Sequence, residues 1–99
     1  MLIVSGVFKI DPAQREMVRE TAIEMARATR EEAGCISYAF YVDLETPANV
    51  RVFEEWESQE ALEAHFQTPH MATFRQALGA ITIKSRAIWR YEVSGQEKL

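Results

Sequence analysis

The order of periodicities in this chain predicts an α+β domain of the ferredoxin-like kind, β-α-β-β-α-β with an antiparallel sheet. Three observations carry the prediction. Apolar residues alternate with period two around Leu2–Ile10, Cys35–Asp43, Val50–Glu57 and Ala80–Val93, as in strands. They recur at helical spacing from Asp11 to about Ala33, and again from Gln59 to Leu78. The first two strands are apolar on both faces, which one layer of helices cannot cover. A second copy of the sheet is the simplest cover, so a homodimer with facing sheets, an α+β barrel, is expected. Residues 1–99 read as one domain without repeats or linkers.

In the first strand Leu2, Val4, Phe8 and Ile10 share a face, with Ile3 and Val7 on the other. Gly6 is unusual in a strand interior and predicts a close approach or a bulge. Asp11-Pro12 is a helix start: Asp caps, and Pro suits the first turn because its missing N–H would be unpaired there. The helix is expected to reach Glu32 or Ala33 and to bury Val18, Ala22, Met25, Ala26, Thr29 and Ala33. Its many charges form a solvated face, with Arg27 and Glu31 an (i, i+4) pair. Gly34 then takes a left-handed cap. In the second strand Ile36, Tyr38, Phe40 and Val42 share a face, and the turn residues Glu45 to Asn49 lead into an antiparallel third strand.

Ser58 caps a short helix, Thr68-Pro69 restarts another, and Gly79 stops it. A last strand from Ala80 to Val93 would reach roughly 45 Å at ~3.3 Å per residue. That exceeds its neighbours and also points to a partner chain.

The bulk numbers exclude some functions. A net charge of −4, from 11 basic and 15 acidic residues, argues against a nucleic-acid binder. It also argues weakly against an anionic-membrane binder, and no run approaches the ~20 apolar residues of a membrane span. Residues 1–8 lack a basic region and are too short for a signal peptide. The single cysteine, Cys35, makes neither an intrachain disulfide nor a multi-cysteine zinc site, so a reducing cytoplasm is expected.

The chemistry-bearing residues gather where the third strand runs into the short helix. His65 exchanges protons near neutral pH and suits a general base, although a satisfied half-buried histidine has the same signature. Glu54, on the same strand face as Trp56, is a candidate base or a partner that orients His65; an ion pair with an arginine of another strand competes with both roles. Trp56 suits the wall of a pocket for a flat aromatic, or plain core. His70 sits in a first helical turn, which disfavours the imidazolium. His65 and His70 are five apart across a helix break, which is not the (i, i+4) metal pair, and no third ligand is evident, so no metal site is expected. Arg86 and Arg90 suit either an anionic substrate or a dimer contact. Cys35 reads as a structural thiol.

The run Glu54-x-Trp56 with Ser58, then Leu62-Glu63-Ala64-His65 and Thr68-Pro69-His70-Met71, resembles the antibiotic biosynthesis monooxygenase domain family. Glu31-Glu32-Ala33-Gly34-Cys35 with Tyr38 is similar to that family's helix-to-strand corner, and the likeness covers about residues 2–93. It is nearest to the bacterial quinol monooxygenase branch. The resemblance implies a dimeric α+β barrel and oxidation of a quinol or polyphenol by O2 without cofactor or metal, the substrate phenolate acting as reductant. It implies His65 and Glu54 as catalytic residues, and Trp56, Tyr38, His70, Phe66 and Phe74 as the substrate-binding wall.

The haem-degrading branch resembles this chain in fold but has an Asn near Gly6, a Trp near His65 and a ligating His near Arg75, none of which occurs here. A branch that isomerises a phosphorylated signalling sugar also keeps a His at position 65, so an isomerase is the alternative, and a non-catalytic small-molecule-binding dimer is another.

Overall fold

The computed structural model describes residues 1–99. The strands are β1 (Leu2–Ile10), β2 (Cys35–Val42), β3 (Asn49–Trp56) and β4 (Ile83–Glu92); the helices are α1 (Arg15–Thr29), α2 (Gln59–Phe66) and α3 (Pro69–Leu78). The sheet order is β2-β3-β1-β4, and every neighbouring pair is antiparallel. This is the ferredoxin-like α+β arrangement.

The element starts follow the capping chemistry. Asp11 accepts from the Ala13 N–H, Ser58 from Ala61 and Thr68 from Met71, each satisfying a donor that a helix start leaves unpaired. Asp11 caps a 3-10 turn, Pro12–Gln14, that leads into α1, rather than α1 directly.

Cross-strand register defines the two sheet faces. Trp56 stands opposite Leu2, Glu54 opposite Val4 and Tyr38, Val52 opposite Gly6, and Val50 opposite Phe8. This is the helix-covered face, and all nine of these residues are buried. A Cβ on Gly6 would meet the Ile88 backbone at 2.4 Å, so β4 passes too close for any side chain there.

The opposite face carries Ile3, Val7, Ala39, Tyr41, Phe53, Ala87, Trp89 and Tyr91 in the same register, and no element of this chain covers it. Ile3 and Val7, expected buried, are only half-buried in the single chain. Trp89 is 64% and Tyr91 50% exposed.

Three expectations need correction. α1 ends at Thr29, not at Glu32 or Ala33, and a tight turn follows in which Glu32 N–H bonds the Thr29 carbonyl and Cys35 N–H the Glu32 carbonyl. Ala33 is therefore exposed, and no Arg27–Glu31 ion pair forms. β4 begins at Ile83, because Ala80 and Ile81 still donate to the carbonyls of α3's last turn. With 10 residues against 9 in β1, β4 has no excess length that calls for a partner.

Candidate active site

Between the covered sheet face and helices α2 and α3 lies a cavity of about 340 Å³. Eleven of its 14 lining residues are hydrophobic. Tyr38, Phe40, Phe66 and Phe74 bring aromatic rings to it, and Glu54, Arg75 and Arg86 the charged groups. Tyr38 packs edge-on against Phe40, which in turn packs on Phe74. Its size and lining suit one small, largely apolar molecule.

Glu54 is 7% exposed, and the Trp56 indole N–H donates to it at 2.9 Å. Burial pushes its carboxyl up to about 7; the indole hydrogen bond only partly opposes that, and the Glu32 charge adds to it. No arginine pairs with Glu54, so the expected ion pair is absent; Arg90 donates instead to the Gln59 side chain at 2.8 Å. The Tyr38 hydroxyl is driven strongly upward, first by burial and then by the Glu54 charge, and stays protonated. It is a donor in the cavity wall, not a base.

Behind this wall lies a second polar group. Glu32, in the corner between α1 and β2, accepts on one carboxylate oxygen from His65 Nδ1 at 2.7 Å and from His70 Nε2 at 2.6 Å. An ionised carboxylate only accepts, so both ring nitrogens carry the proton on that side. Gly34 makes the corner possible: its φ of +83° suits glycine, and a Cβ there would strike the Ala61 side chain of α2 at 2.5 Å. His65 is 1% exposed, beside the rings of Trp56, Tyr38, Phe66 and His70. Burial lowers its pKa, against the opposing pull of Glu32, so the neutral imidazole is favoured.

The two histidines and Glu32 offer three ligand atoms within 4.8 Å of one another, the donor set of many metal centres. Their spacing is that of hydrogen bonds, however. Two ligands ~2.0–2.1 Å from a tetrahedral ion stand roughly 3.3 Å apart, whereas these nitrogens approach the shared oxygen to 2.6 and 2.7 Å. Glu32 is the third ligand-type group that the sequence did not show, and its contacts with both histidines have hydrogen-bond lengths.

The predicted site residues thus divide. Glu54, Tyr38, Phe66 and Phe74 line the cavity. Trp56 is 0% exposed and His65 nearly so; neither reaches the cavity, and together they form its backing. His70 borders a smaller recess of about 130 Å³ against α1, which Phe74 also touches. His65 is oriented by Glu32, not by Glu54. Glu32 and Arg75 were not singled out as site residues. The one sign of Glu32 was its place in the helix-to-strand corner, and nothing in the pattern separated Arg75 from a solvated helix face. Cys35 is half-buried, and burial pushes its thiol up to about 11, so it is not a nucleophile at neutral pH.

The fold and cavity define a small α+β domain with a mainly apolar cavity beside a buried carboxyl. Comparison with known proteins identifies the kind. Residues 1–77 match the model of the family described as "Antibiotic biosynthesis monooxygenase", and the chain belongs to that family. It is 33% identical over 88 residues to the Escherichia coli K12 protein named "Probable quinol monooxygenase YgiN", covering 79% of this chain and 85% of that one. It is 31% identical to "Uncharacterized protein sll1783" of Synechocystis over 99% of its own length and 67% of the relative's. A crystal structure from Deinococcus radiodurans, assigned to the same family, superposes with a TM-score of 0.92 at 25% identity, covering 100% of this chain and 98% of that one. Membership supports a monooxygenase-type role, an oxidoreductase at the level of the family. No helix is long and apolar enough to cross a membrane.

Proposed function

We propose that the chain is a monooxygenase that oxidises a quinol or polyphenol with O2, using the bound substrate as reductant and no cofactor. The observation that carries this reading is the placing of Glu54: a carboxyl with its pKa at about 7, facing an aromatic cavity. A general base works best when its pKa lies near the working pH, and this one does.

In the proposed reaction the Glu54 carboxylate takes the phenolic proton. The resulting phenolate gives one electron to O2, and the radical pair joins as a ring hydroperoxide. Loss of water leaves an oxygenated, oxidised ring. One atom of O2 enters the product and the other leaves as water; the substrate supplies both hydrogens and all the electrons. The Tyr38 hydroxyl donates a hydrogen bond to the developing oxyanion, and the apolar lining keeps bulk water from the reduced oxygen.

His65 touches no cavity space, so its part is positioning: pinned by Glu32, it packs against Tyr38 and Trp56. Trp56 in turn holds the Glu54 carboxyl.

The same reading takes the chain as a homodimer, joined through the uncovered sheet face with its exposed Trp89 and Tyr91. A Trp89→Glu chain, placing a charge in that face, is expected to run as a monomer in light-scattering chromatography. Elution of the native chain as a monomer contradicts the dimer.

The activity test is O2 uptake by metal-free protein with a panel of quinols and anthrones, beside autoxidation controls and Glu54→Gln. Uptake above the control that is lost in Glu54→Gln is expected. An undiminished rate in that variant contradicts the role of Glu54, and no uptake across the panel contradicts the oxygenase. The isomerase of a phosphorylated sugar-like signal is the second reading. It draws on the two arginines of the cavity, and the mainly apolar lining opposes it.

A further inference from the structure

We infer that the aromatic molecule taken by this cavity carries an acidic group, held by Arg75 and Arg86. This deepens the reading of the cavity as an aromatic-substrate site and rests on it. Arg75 comes from α3 and Arg86 from β4, so two exposed cationic side chains line the cavity from different walls. In a chain of net charge −4, both are free of carboxylate partners: the only ion pairs in the structure join Glu32 to its histidines. Arg75 spends one N–H on the Phe66 carbonyl at 3.1 Å, and the Arg86 side chain makes no hydrogen bond within the chain. Most of their donors therefore remain for a ligand, and the guanidinium fork matches a carboxylate or phosphate oxygen pair.

The register separates this positive end from the base. Arg86 stands opposite Phe8 and Glu54 opposite Val4. Four residues along β1 are roughly 13 Å. An acid group and a reacting hydroxyl at different places on one flat ring system can therefore face the arginines and Glu54 at once. The eleven hydrophobic lining residues select a ring over a polyol. The chemistry is that of a hydroxylated aromatic acid.

The test reads binding, not turnover. The affinities of 6-hydroxy-2-naphthoate, with acid and hydroxyl at opposite ends of the ring system, and 2-naphthol are measured by calorimetry, anaerobically, with sn-glycerol 3-phosphate as the non-aromatic anion. The native chain is expected to bind the naphthoate at least tenfold tighter than the naphthol. Arg75→Met and Arg86→Met, which keep the apolar stem, are expected to remove that preference by weakening the naphthoate at least tenfold more than the naphthol. Equal affinity of the native chain for acid and phenol overturns the inference. So does equal weakening of both ligands in the Met variants, or glycerol phosphate binding more tightly than either naphthalene. Thermal melts of both variants confirm that they fold. A chain that binds the naphthoate selectively but consumes no O2 overturns the oxygenase and leaves this inference standing.

Discussion

Glu32 and Glu54 are drawn from water on the same side of one sheet, and they meet the cost of burial differently. Glu32 accepts two short hydrogen bonds from imidazoles on α2 and α3. Glu54 accepts one, from an indole, and faces an apolar cavity. Hydrogen bonds to the charged form favour that form, and desolvation opposes it. One neutral donor does not suffice, so the proton on Glu54 becomes labile near pH 7. The first carboxylate ties three segments together, and the second is left able to do chemistry. Deep burial with a single donor, not the residue type, gives Glu54 its role.

The largest effect expected from breaking this contrast is on turnover. Glu54→Gln keeps an oxygen to accept from Trp56 but cannot take a proton; oxygen uptake should fall by ~10²–10⁴-fold, the usual contribution of a general base. Its melting temperature should not fall.

At the other carboxylate, Glu32→Ala should act on stability. It strips an acceptor from both histidines, one of them fully buried, and hydrogen bonds to a charged group contribute about 1.5–3 kcal/mol each. A loss of about 2–4 kcal/mol in urea unfolding is expected, with the rate per folded molecule falling far less than in Glu54→Gln. A Glu32→Ala chain as stable as the native one would remove the clamp from the account. His65→Ala is a poorer probe of catalysis, because it opens a hole in the core and unpairs Glu32 together.

The pH dependence of stability sharpens the contrast further. The Glu54 carboxyl is raised from 4.5 to about 7 on folding, so between those values the folded chain binds the extra proton. Stability from this group is present below about 4.5 and is lost as pH rises through about 7, by up to about 3 kcal/mol at 1.36 kcal/mol per unit. His65 works in the opposite direction: its pKa is lowered from 6.5 by burial, so stability falls as pH drops below 6.5 and the unfolded chain takes up the proton. In Glu54→Gln only the second arm should remain. Relative to the native chain, the variant should gain about 3 kcal/mol between pH 4 and pH 8 in parallel urea titrations.

The smallest effect lies under α1. The Thr29 hydroxyl is wholly buried and has no hydrogen-bond partner. Replacing it with the similarly shaped Val removes an unsatisfied group, so Thr29→Val should be neutral or stabilising by about 1 kcal/mol in thermal melts.

Most of the fold was legible in the chain. Strand alternation and the caps at Ser58 and Thr68 are local, and each appears where its backbone chemistry required; Gly34 has the expected left-handed backbone, but in the turn before β2 and not as the cap of α1, whose last turn closes at Arg30. The site was legible only in part. Sequence spacing placed Glu54, Trp56 and His65 near one another, yet a buried aromatic that backs a cavity and one that lines it have the same period. Trp56 therefore reads as a pocket wall and His65 as a base beside it, whereas both stand behind the lining. Glu32 escaped because α1 stops at Thr29, and the turn that aims its carboxylate at α2 and α3 depends on contacts from residues more than thirty positions away. Arg75 escaped because a cation on an amphipathic helix reads as solvated whichever edge of the helix it occupies.

The central claim is that one buried carboxyl beside the cavity is poised near neutrality. Carboxyl-carbon NMR titration of Glu54, assigned by its disappearance in Glu54→Gln, tests it most directly. A midpoint at about 7 is expected. A midpoint in the ordinary glutamate range near 4.3 would contradict the account, since Glu54 would then be too weak a base for the role it is given.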